Sequence, residues 1–147
     1  MFVPASRAMD LSEKVAIVTG GAGGLGAATS RHLADVGMRV VVFDRAQEAA
    51  DGVASSIGER AVAVAGDTTV DDDVQTAIGA AQEMGALSLV VNVAGGATQA
   101  GRTVNRDGSP HPLDGFVSTM EMNAVGTFNV TRLACSAMAA NEANEDG

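Results

Sequence analysis

Closely spaced glycines follow a short apolar run near the start of the chain, and their spacing suits the binding of a phosphate group. The segment Lys14–Gly26 reads KVAIVTGGAGGLG, in which the apolar residues 15–18 predict a buried strand and the residues after the glycines predict a helix. Glycines let the backbone turn tightly, and the free N–H groups and dipole at a helix N-terminus favour negative charge. We therefore predict an anion site that fits a pyrophosphate. The candidate contacts are Gly20, Gly23, Gly24, Leu25 and Gly26.

An acidic residue closes the next apolar run, at a distance that suits recognition of a nucleoside. Asp44 comes 18 positions after Gly26 (44 − 26) and directly follows residues 40–43. A carboxylate in this position accepts hydrogen bonds from the ribose hydroxyls of an adenosine and repels a 2′-phosphate, which favours NAD over NADP. Arg45 follows directly and would weaken that discrimination. The alternative interpretation is that Asp44 only caps the next helix.

Alternating strands and helices must position these residues. Continuous apolar runs predict strands buried on both faces, and helical spacing between them predicts crossover helices. In the first predicted helix, apolar or small residues recur at close to helical spacing, at Leu25, Ala28, Leu33 and Val36. The predicted elements, in order, are a strand at 15–18, a helix at 24–36 ended by Gly37, a strand at 40–43, a helix at 46–57 ended by Gly58, a strand at 61–67, a helix at 70–84, a strand at 87–91, a loop at 97–112 and a long helix at 113–140.

This order predicts an α/β fold with a doubly wound parallel sheet of the Rossmann type. The expected strand order is 3-2-1-4, and ligands bind such sheets at the carboxyl ends of the strands. We expect residues 1–10 to form a flexible tail and residues 11–147 to form one dinucleotide-binding domain. Candidate contacts follow each strand, at Gly20, at Asp44, at Asp67 and Thr68, and at Asn92.

Composition excludes several classes of function. The formal net charge is −9 and the cationic residues are scattered, which argues against a nucleic-acid or anionic-membrane surface. A single cysteine, Cys135, excludes an internal disulfide and fits a reducing compartment, and we expect it to be buried in the long helix. No spacing of His, Cys and carboxylates predicts a metal site. Since no presequence is evident, the expected location is the cytoplasm.

The motifs together resemble the short-chain dehydrogenase/reductase family. Its cofactor turn Thr-Gly-x-x-x-Gly-x-Gly is matched by Thr19–Gly26, and its Asn-Asn-Ala-Gly element by Asn92-Val93-Ala94-Gly95, with Val in the second place. The resemblance implies an NAD-binding Rossmann domain in which Asp67 meets the adenine ring. It also implies that Asn123 is the active-site Asn, which orients a water in the proton relay.

A narrower resemblance concerns the substrate. TGGAGGLGAAT, TVNRDGSPHPLDGF and NAVGTFNVTRLACSAMAANE are similar to the type 2 3-hydroxyacyl-CoA dehydrogenases. This likeness implies oxidation of a 3-hydroxyacyl-CoA, or of a related secondary alcohol, by hydride transfer to NAD. No single residue in these segments predicts recognition of a thioester.

The chain departs from the family in its catalytic residues. The family uses a Ser and a Tyr-x-x-x-Lys motif, yet this sequence contains no Tyr and its only Lys is Lys14. It resembles the N-terminal, cofactor-binding half of such an enzyme, ending before a fifth strand. Because no group is placed to take the hydroxyl proton, we expect negligible turnover from this chain alone.

One structural expectation and two alternative functions follow from the same residues. A sheet of four strands leaves strand four at an edge, so we expect homo-oligomerisation through its open N–H and C=O groups. A non-catalytic dinucleotide-binding or regulatory half-domain is the main alternative function. An S-adenosylmethionine methyltransferase is a third, because it also uses a glycine turn and an acidic residue after strand two.

Overall fold

The computed structural model describes residues 10–142, so the predicted tail lies almost wholly outside the described residues. Strands and helices alternate through most of the chain, as the apolar periodicity predicts. The elements are β1 (Val15–Thr19), α1 (Gly24–Asp35), β2 (Arg39–Asp44), α2 (Gln47–Ile57), β3 (Ala61–Ala65), α3 (Asp71–Met84), β4 (Leu87–Asn92), α4 (Leu113–Met120), a π-helical turn (Glu121–Val125) and α5 (Gly126–Met138).

The four strands form one parallel sheet in the order β3-β2-β1-β4, which confirms the predicted doubly wound topology. Strands β1 and β2 lie at its centre. Val15 to Val18 and Val40 to Phe43 are all buried, as expected for continuous apolar runs covered on both faces.

Successive residues of a strand point to opposite faces, and the core is divided accordingly. Ile17 and Phe43 pack with α3 and α5 on one face, while Val18 and Val42 pack with α1 and α2 on the other. Full burial of such a side chain stabilises the fold by about 1.5–3 kcal/mol. The central strands therefore hold their carboxyl ends in a fixed arrangement, and the loops that follow those ends are held with them.

Glycines with positive φ end the helices where the sequence predicts. Gly37 (φ 98°) follows α1 and Gly58 (φ 88°) follows α2, a backbone conformation that glycine adopts without a steric penalty. Three of the apolar or small residues at helical spacing on α1 are exposed: Leu25, Ala28 and Val36. The helix instead buries its small residues, which lets it lie close to the sheet; these are Gly26, Ala27 and Ser30.

Two predicted boundaries also differ. Strand β3 ends at Ala65, so Asp67 belongs to the following loop. The long helix expected at 113–140 is interrupted by the π-helical turn Glu121–Val125, and its helical part ends at Met138. Such turns insert one residue into a helix and shift the direction of the residues that follow. Helical periodicity alone does not reveal them.

Strand β4 is an edge of the sheet, because among residues 10–142 it pairs only with β1. A groove of about 310 Å³ runs between β4 and α5, and its lining includes Ser88, Leu89 and Cys135. Cys135 is exposed there, so the prediction that it is buried is wrong. The side of α5 that carries this thiol has no covering strand among the described residues.

Candidate functional site

The turn after β1 is a cradle that only glycine fits at two positions. Gly20 has φ 62°, and a Cβ placed on it would lie 2.8 Å from the backbone nitrogen of Ala94. A Cβ on Gly26 would overlap the carbonyl oxygen of Gly20. The turn, the start of α1 and the loop after β4 therefore approach one another at backbone distance.

Thr19 fastens this turn to the loop after β4. Its side chain is fully buried, and its Oγ1 accepts hydrogen bonds from the N–H groups of Val93 and Ala94, both at 3.1 Å. Val93 and Ala94 belong to the predicted Asn-Val-Ala-Gly element. The two glycine-containing segments of the site are thus joined through one hydroxyl group.

The cradle opens into a cavity of about 420 Å³ at the carboxyl ends of the strands. Its lining contains most of the residues that the sequence predicted as cofactor contacts: Gly20, Gly23, Gly24, Leu25, Gly26, Asp44, Thr68, Val93, Ala94 and Gly95. It also contains residues that the sequence interpretation did not assign to it as contacts: Phe43, Arg45, Gly66 and Met122. Each of these stands directly beside a predicted residue in the sequence, which was the available signal.

Asp44 shapes the cavity through its backbone contacts. One carboxylate oxygen, Oδ2, accepts the N–H of Ala22 in the glycine turn at 3.0 Å, and Oδ1 accepts the N–H of Ala46 at 3.1 Å. The second contact is local, because Ala46 is itself the N-cap of α2 and Asp44 stands two residues before it, so Asp44 does not cap the helix. The first contact connects the carboxyl ends of β1 and β2.

Asp67 does not line this cavity. It lines a neighbouring cavity of about 480 Å³ and forms an ion pair with Arg45, with Oδ2 at 2.7 Å from Nη2. Burial raises the pKa of the Asp67 carboxyl, but hydrogen bonds from the Thr69 N–H and hydroxyl, together with Arg45, outweigh it and hold that pKa below its ordinary value. Asp67 is therefore ionised at neutral pH.

Asn92 also points away from the cavity. It is the last residue of β4, and its Nδ2 donates to Thr131 Oγ1 on α5 at 3.2 Å. Its neighbours Val91 and Val93 pack on the α1 and α2 side of the sheet. Since strand residues alternate between faces, Asn92 is directed toward α5.

Asn123 lies in the π-helical turn, where both ends of its amide bind backbone groups. Nδ2 donates to the carbonyl oxygens of Thr119 and Gly96, each at 2.7 Å, and Oδ1 accepts the Gly96 N–H at 3.0 Å. A Cβ on Gly95 would lie 2.6 Å from Asn123 Oδ1. Asn123 therefore ties the irregular helix to the glycine segment that walls the cavity.

The start of α1 offers backbone donors to the cavity. Its N-cap is Gly23, and no side chain caps the first turn. The first N–H groups of a helix have no intrahelical acceptor, so an anion at this end is stabilised by them and by the helix dipole. A cradle of glycine backbone beside these donors fits a pyrophosphate.

Comparison with known proteins agrees with this geometry. The sequence profile of the family described as "short chain dehydrogenase" matches residues 14–145. The chain belongs to the short-chain dehydrogenase family. This oxidoreductase membership favours the dehydrogenase interpretation over the methyltransferase alternative.

Two animal proteins of the same name are similar to this chain in sequence. The 3-hydroxyacyl-CoA dehydrogenase type-2 of Drosophila melanogaster is 42% identical over 139 residues, which cover 93% of this chain and 54% of that protein. The human protein of the same name is 38% identical over 135 residues, which cover 90% of this chain and 51% of that protein. This short-chain dehydrogenase chain spans about half the length of the curated relatives it matches.

Solved structures share the fold. The crystal structure of 3-hydroxyacyl-CoA dehydrogenase type-2 from Mycobacterium avium aligns with a TM-score of 0.88 and 44% identity, over 92% of this chain and 52% of that one. The 3-ketoacyl-(acyl-carrier-protein) reductase from Brucella melitensis, crystallised with NADH, aligns with a TM-score of 0.73 and 31% identity, over 86% and 51%.

The described residues, 10–142, contain neither a membrane-spanning helix nor a cluster of metal ligands. None of the helices described there has the length and apolarity that a membrane crossing requires. Within the same residues, no three His, Cys, Asp or Glu side chains are grouped as metal ligands would be.

Proposed function

We propose that this chain forms the NAD-binding half of a short-chain dehydrogenase whose complete form oxidises a 3-hydroxyacyl-CoA or a related secondary alcohol. The observation that carries the proposal is the glycine cradle at the start of α1, with Asp44 at the rim of the same cavity. The relatives named 3-hydroxyacyl-CoA dehydrogenase type-2 support the substrate class.

Different residues would bind the pyrophosphate and the ribose of the dinucleotide. Gly20, Gly23 and Gly24 would hold the pyrophosphate against the first turn of α1, and Leu25 (79% exposed) would cover it with an apolar side chain. Asp44, at the rim, would accept the ribose hydroxyls. The remaining wall of the cavity is supplied by Thr68 and by Val93, Ala94 and Gly95.

The chemistry of such an enzyme needs more than the cofactor. The bound nicotinamide accepts a hydride, and a base must remove the hydroxyl proton from the substrate. No Tyr is present in this sequence, and Lys14 precedes β1, at the amino ends of the strands and therefore opposite the cavity. In the described structure the amide of Asn123 is bonded to backbone groups, so we assign it a positioning role here.

The proposal is tested by titrating the purified chain with NADH and following nicotinamide fluorescence. We expect saturable binding that Gly26→Ala weakens at least tenfold, since the new methyl group would overlap the Gly20 carbonyl. Gly52→Ala in α2 is the matched control, because its Cβ would have nothing within 4 Å and alanine favours a helix. Equal affinity in both variants, or no binding by the unsubstituted chain, would contradict the proposal.

A turnover assay tests whether this chain can by itself remove the hydroxyl proton of a substrate. We expect no NAD-linked oxidation of a 3-hydroxyacyl-CoA by the purified 147-residue chain, and appreciable turnover would overturn the assignment of a cofactor-binding half.

The open edge of β4 supports homo-oligomerisation as a further part of the proposal. The single cysteine fits a reducing compartment, which supports the cytoplasm.

A further inference from the structure

The ion pair between Arg45 and Asp67 stands at the boundary between two cavities. Arg45 lines both the cofactor cavity and the neighbouring cavity of about 480 Å³, whereas Asp67 lines only the second. Among the described residues that line the cofactor cavity, Arg45 is the only cationic one. The contacts of the Arg45 guanidinium therefore determine how its positive charge is placed relative to a dinucleotide in the cofactor cavity.

Asp67 is itself held in place by backbone contacts. Its Oδ1 accepts the N–H and the hydroxyl of Thr69, at 2.9 and 2.8 Å, and its own N–H donates to Asp73 Oδ2 at 2.8 Å. These bonds leave Oδ2 of Asp67 facing Arg45 at 2.7 Å. The Thr69 and Asp73 contacts therefore position the carboxylate for the guanidinium.

Asp44 does not compete for Arg45, although it precedes it in the chain. Both of its oxygens accept backbone N–H groups, from Ala22 and Ala46. Within residues 10–142, the carboxylate that pairs with Arg45 is Asp67. The two acidic residues thus have separate tasks at the same rim.

We propose that Asp67 is a positioning residue for cofactor specificity, which disfavours NADP by drawing Arg45 away from the 2′ position of the adenosine ribose. The inference rests on the proposed function, because it concerns the same dinucleotide. An Arg near this position accommodates a 2′-phosphate in NADP-dependent sheets of this type. Here the guanidinium is neutralised by Asp67, so Asp44 repels the phosphate without an opposing cation.

The size of the effect follows from exposure. The side chains of Arg45 and Asp67 are 61% and 31% exposed, and ion pairs of that kind are weak and screened by salt. We expect changes of about three- to tenfold in relative affinity at low ionic strength, and smaller changes at high ionic strength.

The experiment compares NADH and NADPH binding by fluorescence titration in a double-mutant cycle of Asp67→Asn and Arg45→Gln. Asn keeps an oxygen for the Thr69 contacts and removes the charge. We expect Asp67→Asn to lower the ratio of the NADPH to the NADH dissociation constant about three- to tenfold. The double variant should lose this gain, and Arg45→Gln alone should change the ratio by less than about twofold.

Glu13→Gln is the matched control for charge. It removes one negative charge from ion pairs with Arg39 and Arg60, next to the start of β1 and away from the cavity. We expect its ratio to equal that of the unsubstituted chain. Circular dichroism of every variant checks that the fold is retained.

Each outcome distinguishes the inference from the function on which it rests. NADH binding with the same ratio in Asp67→Asn, or a gain that persists in the double variant, overturns the role of Asp67 and leaves the function standing. A large loss of NADPH binding in Arg45→Gln alone shows that Arg45 already serves the phosphate, which also overturns it. Absence of NADH binding by the unsubstituted chain contradicts both.

Discussion

At the scale of single residues, the polar side chains of the site act mainly on the backbone. Thr19, Asp44 and Asn123 all accept hydrogen bonds from backbone N–H groups in loops that form the cavity wall. A loop with few apolar contacts is held in one conformation when its backbone groups have fixed partners. The shape of the cavity therefore depends on these side chains.

Thr19→Val tests this dependence with a side chain of nearly the same shape. Removal of Oγ1 leaves the N–H groups of Val93 and Ala94 without their acceptor, so we expect the free energy of unfolding to fall by about 1–3 kcal/mol. Denaturant unfolding measures the change. Thr76→Val on α3 is the control, since its exposed hydroxyl only donates to the Asp72 carbonyl. Similar losses in both variants would show that the Thr19 bonds add no particular stability.

At the scale of elements, the π-helical turn connects α4 and α5 to the loop after β4. The Asn123 side chain donates a hydrogen bond to the carbonyl of Thr119, four residues before it. It also donates to the Gly96 carbonyl and accepts the Gly96 N–H. Side chains that bond the carbonyl four residues earlier are associated with helix bends. The irregularity thus brings an amide to the wall of the cavity.

Asn123→Ala removes these three bonds while keeping a residue that favours a helix. We expect faster hydrogen exchange at the Gly96 amide and a threefold to tenfold loss of NADH affinity, on the order of 1 kcal/mol for the freed loop. Asn141→Ala is the control, because that amide donates to the Leu87 carbonyl, at the start of β4 and far from the cavity. Unchanged exchange at Gly96 would refute the positioning role of Asn123.

At the scale of the whole molecule, helices cover the two faces of the sheet, but among residues 10–142 no further strand pairs with its edges. Strand β1 and residues 40–43 of β2 are buried, whereas β4 is only partly buried and flanks the groove that contains Cys135. An edge strand beside an apolar groove is a template for pairing with another chain. This arrangement supports the proposed self-association through β4.

Ser88→Lys tests that proposal at the β4 edge. Ser88 is exposed and lines the groove, so a lysine there should be tolerated by the fold and should oppose pairing between chains. We expect sedimentation equilibrium to show self-association of the unsubstituted chain, weakened about tenfold or more by this change. Val62→Lys on β3, the opposite edge of the sheet, should leave it unaltered. A monomeric unsubstituted chain would contradict the proposal.

Local signals account for the parts of the fold that the sequence predicted well. Continuous apolar runs specify strands buried on both faces, and a glycine at a turn is required wherever φ is positive or two backbones touch. The order of β1 to β4, the helix ends at Gly37 and Gly58, and the cavity around Gly20 and Asp44 follow from such signals. The helix ends depend on residues close together in the chain, whereas the strand order and the cavity follow from the repeated strand-helix-strand connections.

Features that depend on distant residues required the tertiary structure. The pairing of Arg45 with Asp67 joins loops after different strands, and the sequence left the effect of Arg45 open. The direction of Asn92 depends on which face of β4 its side chain occupies. A shift of one residue in strand register would move that side chain to the other face. Cys135 is exposed because the described residues supply no strand to cover that side of α5. Helical periodicity, strand composition and motif spacing contain no information about these contacts, since packing between elements creates them.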